Sequence, residues 1–83
     1  MDITIYSTST CADCRGLTNW LDSQNISYKK ILTDQDPAGM AEYLKINDGV
    51  LIVPFTIIKD TDGNITKIID NDQAKFKQVL GIG

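Results

Sequence analysis

Cys11 and Cys14 are the only two cysteines of the chain and stand three residues apart. That pair can do two kinds of chemistry. A cysteine thiolate attacks a disulfide sulfur, so two close thiols can accept and return electrons by closing and reopening a bridge. Thiolates also hold metals. Zinc normally takes four ligands, and the chain has no histidine and no third cysteine. A zinc site within one chain is therefore disfavoured, and a cluster shared across a dimer with outside thiols is the metal alternative. A third reading is two buried cysteines without chemical use. A bridge this local constrains the unfolded chain little, so stability is a poor reason for it.

Exchange chemistry needs an ionised sulfur. A free cysteine with pKa about 8.5 is only a few per cent thiolate at neutral pH. The open N-terminus of a helix carries partial positive charge and unpaired N–H groups, which favour the anion. Cys11 falls where a helix is predicted to begin, and Cys14 lies one turn further in, on the core side with Leu17. Residues three apart on a helix have Cβ atoms about 5–6 Å apart, against about 3.8 Å in a disulfide. Local adjustment closes that gap, so the bridge is reversible. In the expected cycle Cys11 attacks a substrate disulfide, and Cys14 then resolves the mixed disulfide. Asp13 should raise the Cys11 pKa and Arg15 should lower it, which leaves the reduction potential open.

The elements that must position this pair follow from pattern. Ile3 and Ile5, with Thr4 and Tyr6, predict a strand over 2–7. Ser7-Thr8-Ser9-Thr10 supplies loop and capping residues. Cys14, Leu17, Trp20 and Leu21 then recur at helical spacing, with Asn25 as the stop. A second strand is expected over 26–32. Asp36 and Pro37 start a second helix, whose apolar face is read as Met40, Tyr43 and Leu44; Asn47-Asp48-Gly49 ends it. Pro54 has no N–H for a sheet ladder, so a loop to Val53 and a strand over 54–59 are expected. Asp60-Thr61-Asp62-Gly63-Asn64 is a hairpin turn leading to a strand over 65–69. Asp70-Asn71-Asp72 offers caps for a last helix, with Phe76, Val79 and Leu80 inside and Gly81 at its end. The order is β-α-β-α-β-β-α, an α/β architecture. Tyr6 and Tyr43 read as core-edge aromatics or as groove lining, and Trp20 as packing.

The 83 residues make one expected domain, 1–83, and the net charge of −3 with scattered basic residues argues against nucleic acid. The acidic start, Met1-Asp2, lacks the pattern of a signal peptide, and no apolar run approaches the ~18–20 residues of a membrane span. A reducing cytoplasm is the expected setting, in which a Cys-x-x-Cys pair reads as redox-active or metal-binding.

The run Thr4-Ile5-Tyr6-Ser7-Thr8-Ser9-Thr10-Cys11-Ala12-Asp13-Cys14 resembles the first strand and active-site loop of glutaredoxins and mycoredoxins. Asn25-Ile26-Ser27-Tyr28, Asp34-Gln35-Asp36-Pro37, Val53-Pro54 and the ending from Asp72 to Ile82 fit in the same order. The resemblance implies a thioredoxin fold: one four-stranded mixed sheet flanked by three helices. It implies Cys11 as nucleophile, Cys14 as resolving thiol, and a cis Pro54 beside them. Thr10, Ala12, Asp13, the backbone of Val53, Pro54, and the turn Asp70, Asn71 and Asp72 would meet the substrate. It implies no resident cofactor or metal. The co-substrate would be glutathione or another low-molecular-weight thiol, and the partners disulfide-bearing client proteins. A flavin disulfide reductase is the alternative electron donor, and the chain is expected to be a monomer without membrane contact. A redoxin dedicated to one client, such as ribonucleotide reductase, is a variant of the same reading; an iron–sulfur or metal-carrier module is the rival.

The chain departs from the family pattern at named places. Ala12 and Asp13 replace the common Pro-Tyr between the cysteines, and Thr8 stands where a lysine is frequent. Asp70-Asn71-Asp72 occupies the region of a glycine-containing turn that receives the glutamyl end of glutathione. Carboxylates there repel an anion, while the helix N-terminus attracts one. The plainer reading of these acids is helix capping on a solvated surface.

Overall fold

The computed structural model describes residues 1–82. Its elements run β1 (Asp2–Ser7), α1 (Ala12–Ser23), β2 (Lys29–Leu32), α2 (Pro37–Ile46), β3 (Phe55–Lys59), β4 (Ile65–Ile69) and α3 (Gln73–Leu80). The four strands form one sheet in the order β2-β1-β3-β4. β1 and β2 are parallel, from Thr4 opposite Lys29 to Ser7 opposite Leu32. β3 is antiparallel to β1, and β4 to β3. This is the mixed sheet of the thioredoxin fold, with the expected element order.

Alternation along the strands splits the core in two. Ile3 and Ile5 of β1, Ile58 of β3 and Ile68 of β4 bury one sheet face against Leu17 and Leu21 of α1 and Phe76 of α3. Tyr6, Ile31 and Phe55 bury the other face against Tyr43 of α2. β1 lies inside the sheet and contributes to both clusters, so its C-terminal end is held from both sides. That end leads into the cysteine loop.

The helix ends carry their signals. The Asp36 side chain caps α2 by accepting from the Gly39 amide at 3.0 Å, with Pro37 in the first turn. Asp72 caps α3 by accepting from the Lys75 amide at 3.1 Å, and Gly81 ends that helix at φ 69°. Asn25, at φ 58°, follows the end of α1.

Expectations on three elements are corrected. The second strand is shorter than 26–32: only Lys29–Leu32 pairs. The Ile26 amide instead bonds back to the Leu21 carbonyl at 3.0 Å, closing the helix. Ile26 and Tyr28 pack against the first core cluster. The apolar face of α2 is also not Met40, Tyr43 and Leu44. Tyr43 and Gly39 face inward, while Met40 and Leu44 are exposed, Leu44 at 54%. Gly39 lies so close to Ile31 that an added Cβ would overlap the Ile31 Cγ2 atom. The helix therefore approaches the sheet along its glycine, and its large aliphatic residues turn outward. Tyr6 and Tyr43 are core residues rather than groove lining, with ring centroids 5.8 Å apart. The third strand starts at Phe55, one residue after the proline.

Candidate active site

Cys11 occupies the N-cap of α1 in an extended backbone conformation (φ −85°, ψ 110°). The Cys14 amide donates to the Cys11 sulfur at 3.1 Å. An N–H aimed at that sulfur stabilises a thiolate more than a thiol, as does the helix dipole behind it. The two cysteines are joined in a disulfide, with Cα atoms 5.2 Å apart. Cys14 is only 2% exposed and sits inside with Leu17, whereas Cys11 is half-buried at the surface. The asymmetry distinguishes the two sulfurs: an incoming group reaches Cys11, and Cys14 is approached from Cys11.

A second chain segment closes over the pair. The Val53–Pro54 peptide bond is cis, as the resemblance implied, and the Val53 carbonyl oxygen lies 4.0 Å from the Cys11 sulfur. In the disulfide that sulfur has no proton to donate, so this is a contact; on reduction the thiol can point at the carbonyl. Upstream, the Tyr43 hydroxyl contacts the Val50 and Ile52 carbonyl oxygens, each at 3.0 Å. One hydroxyl proton serves one of them at a time, which ties the segment to α2. Downstream, the Asp70 amide donates to the Pro54 carbonyl at 2.8 Å. That bond brings the turn before α3 up to the proline.

The turn itself is built from short polar residues. Asp70 takes φ 65°, and its carboxylate accepts from the Asn71 amide at 2.9 Å. Aspartate and asparagine visit this left-handed region more readily than most residues. Asn71 lies against α1, its side-chain nitrogen 3.4 Å from where a Cβ on Gly16 would be. Asp13, Ile69, Asp70, Asn71 and Asp72 together line a shallow open cleft. The predicted substrate residues thus fall into three groups. The Val53 carbonyl adjoins the sulfur, with Pro54 next in the chain, and Asp13, Asp70, Asn71 and Asp72 share the cleft. Thr10 and Ala12 are exposed on either side of Cys11 in the chain.

The sequence reading missed one tie. Ser9 donates through its amide (3.1 Å) and its hydroxyl to the Asp34 carboxylate. The Ser9 hydroxyl, more than any other group, holds the Asp34 carboxyl below its ordinary value. The bond anchors the cysteine loop to the β2–α2 connection. Its partners are 25 residues apart, so no local pattern points to it. Among the described residues no three His, Cys, Asp or Glu side chains gather as a metal-ligand set.

A family model described as Glutaredoxin matches residues 3–62. Mycoredoxin 1 of Corynebacterium glutamicum is 39% identical over 59 residues, which are 71% of this chain and 72% of that protein. The fold is similar to that of the glutaredoxin from Methanosarcina mazei, with a TM-score of 0.80 at 18% identity over 98% of this chain and 79% of that one. It is also similar to buckwheat glutaredoxin in its complex with glutathione, with a TM-score of 0.69 at 25% identity over 95% of this chain and 69% of that one.

Proposed function

The chain belongs to the glutaredoxin family of thiol–disulfide oxidoreductases, and on that premise we propose that it reduces disulfides with Cys11 as nucleophile and Cys14 as resolving thiol. The observation that carries the assignment is the Cys11 sulfur at the N-cap of α1, receiving the Cys14 amide, with Cys14 buried behind it. The Cys11 thiolate attacks one sulfur of the substrate disulfide. A Cys11–substrate disulfide forms, and the other substrate sulfur leaves as a thiolate and takes a proton. Cys14 then loses its proton and attacks the Cys11 sulfur, releasing the second substrate thiol. Two electrons and two protons pass to the substrate, and the Cys11–Cys14 disulfide remains.

Substrate contact is assigned to Thr10, Ala12, Asp13, Val53, Pro54, Asp70, Asn71 and Asp72, with the Val53 backbone beside the reacting sulfur. The whole chain, 1–83, acts as one glutaredoxin-like domain and a monomer in the cytoplasm. Electrons return from a low-molecular-weight thiol, as glutathione is bound by the buckwheat relative, or from a flavin disulfide reductase. The clients are proteins bearing disulfides or mixed disulfides.

Substitution separates the two sulfurs. Cys11→Ser is expected to abolish reduction of hydroxyethyl disulfide, and surviving turnover would remove Cys11 from the nucleophile's role. Cys14→Ser is expected to leave a client trapped on Cys11, read as a mass increase of the intact protein that dithiothreitol removes.

A further inference from the structure

The turn that delivers Cys11 is held from outside its own helix. The Cys11 amide donates to the Thr8 carbonyl at 3.4 Å, which closes a turn with Ser9 and Thr10 at its centre. A bond that long holds the turn weakly. The Ser9 amide, which a turn of this kind leaves free, donates to the Asp34 carboxylate at 3.1 Å and 3.3 Å to its two oxygens. The Ser9 hydroxyl donates to the same group. Bonds to an ionised acceptor are stronger than neutral ones. The support is itself fixed. Thr33 donates its amide at 2.8 Å and its hydroxyl at 3.2 Å to the Ser7 carbonyl. The amides of Gln35 and Asp36 both return to the Leu32 carbonyl, at 3.1 Å and 2.9 Å, and Asp36 caps α2. Asp34 thus stands in a closed connection between β2 and α2.

We propose that Asp34 is a positioning residue for the reaction: through Ser9 it fixes the turn that sets the Cys11 sulfur at the open end of α1, and so sustains the thiolate. This rests on the reading of Cys11 as nucleophile and deepens it. Cys11 is the N-cap, and its sulfur accepts from the Cys14 amide while its backbone keeps the extended conformation that precedes the helix. Residues 8–11 belong to no strand or helix, so the ties to Thr33 and Asp34 restrain the approach to that cap. The helix end is worth about a factor of three to an exposed anion. By charge alone Asp34 would do the reverse, because a nearby carboxylate disfavours a second anion. The carboxylate is exposed, so salt screens that repulsion, whereas a bonded turn keeps its geometry in salt. The two effects on Cys11 have opposite signs, and one measurement separates them.

The test follows alkylation of Cys11 by iodoacetamide across pH, read as the mass of the intact protein. Every sample carries Cys14→Ser, so that one thiol is counted; serine keeps the backbone amide that faces Cys11. Asp34→Ala is expected to slow alkylation about threefold on the rising limb of the pH profile, which is a midpoint higher by about half a unit. The loss should be the same in high salt. Asp34→Asn, whose side-chain oxygen still accepts, should recover part of it. Ser9→Ala keeps the amide bond, so it should lose less than Asp34→Ala and add nothing to it in the double variant. A midpoint that falls in Asp34→Ala overturns the proposal and leaves Asp34 a charge effect alone. A midpoint that does not move overturns it too, and leaves the bond a structural one. So does a Ser9→Ala effect that adds in full. Alkylation needs no turnover, so failure of the unsubstituted protein to reduce hydroxyethyl disulfide would overturn the oxidoreductase reading separately.

Discussion

At the scale of single residues, one sulfur is set apart by its place at a helix end, and one glycine by the side chain it does without. Cys11 and Cys14 declare themselves by type and spacing, and a capping loop before a helical period is enough to put one sulfur at a helix end. Gly39 carries no such signal. Its value lies in what it lacks, since a Cβ there would meet Ile31. The same absence accounts for the difference between the expected apolar face of α2 and the observed one: the aliphatic side chains at 40 and 44 point outward, and the position that touches the sheet has no side chain. Gly39→Ala tests this directly. Alanine gains about 1 kcal/mol in helix propensity, but overpacking against a stiff β-branched neighbour costs about 1–3 kcal/mol. The second effect should win, with a net loss of about 1 kcal/mol in urea unfolding. A more stable variant would mean that Ile31 yields without cost.

Elements follow from periodicity, and what joins them does not. Strand and helix spans follow from short-range pattern, so β1, α1, β4 and α3 stand where expected. β2 is shorter because closing α1 back onto itself consumes the Ile26 amide. The bonds that assemble the site cross the chain: Ser9 to Asp34, and Asp70 to Pro54. Their partners meet only once the sheet has formed. The Ser9–Asp34 tie also gives an acid dependence whose sign is fixed. The Asp34 carboxyl is lowered in the folded protein, so folding favours its ionised form. The stabilisation is present above the unfolded carboxylate range and is lost as pH falls through the lowered folded value. Asp60 is lowered in the same sense by the amides of its turn, with Asn64 first. Asp34→Asn should therefore flatten, without abolishing, the fall of the urea midpoint between pH 5 and pH 2. An unchanged acid limb would show that the carboxylate does not hold the loop.

At the scale of the whole molecule, the reactive pair and the bulk of the core are joined through α1. Leu17 and Leu21 lie in the same cluster as Phe76 of α3, and Trp20 packs edge-on to that ring at 6.2 Å between centroids. Cys14 begins the stripe that these residues continue. The opposite face, with Tyr43 and Phe55, supports the segment that leads to the cis proline. The two core layers thus hold the two halves of the site, and the sheet between them sets their separation. In a chain this small, deleting one large buried ring removes a major share of the stability. Phe76→Ala should cost about 3–5 kcal/mol, read from urea unfolding. Phe76 belongs to the core cluster of Leu17 and Leu21, and Val53 packs against the other one, while the Cys11 cap is made by groups of the first turn of α1 alone. The variant molecules that remain folded at low temperature should therefore reduce hydroxyethyl disulfide within about twofold of the unsubstituted rate. Loss of activity while the circular dichroism still shows a folded protein would mean that α1 shifts when α3 is undercut, and that the helix end presenting Cys11 is set by the core rather than by its own cap.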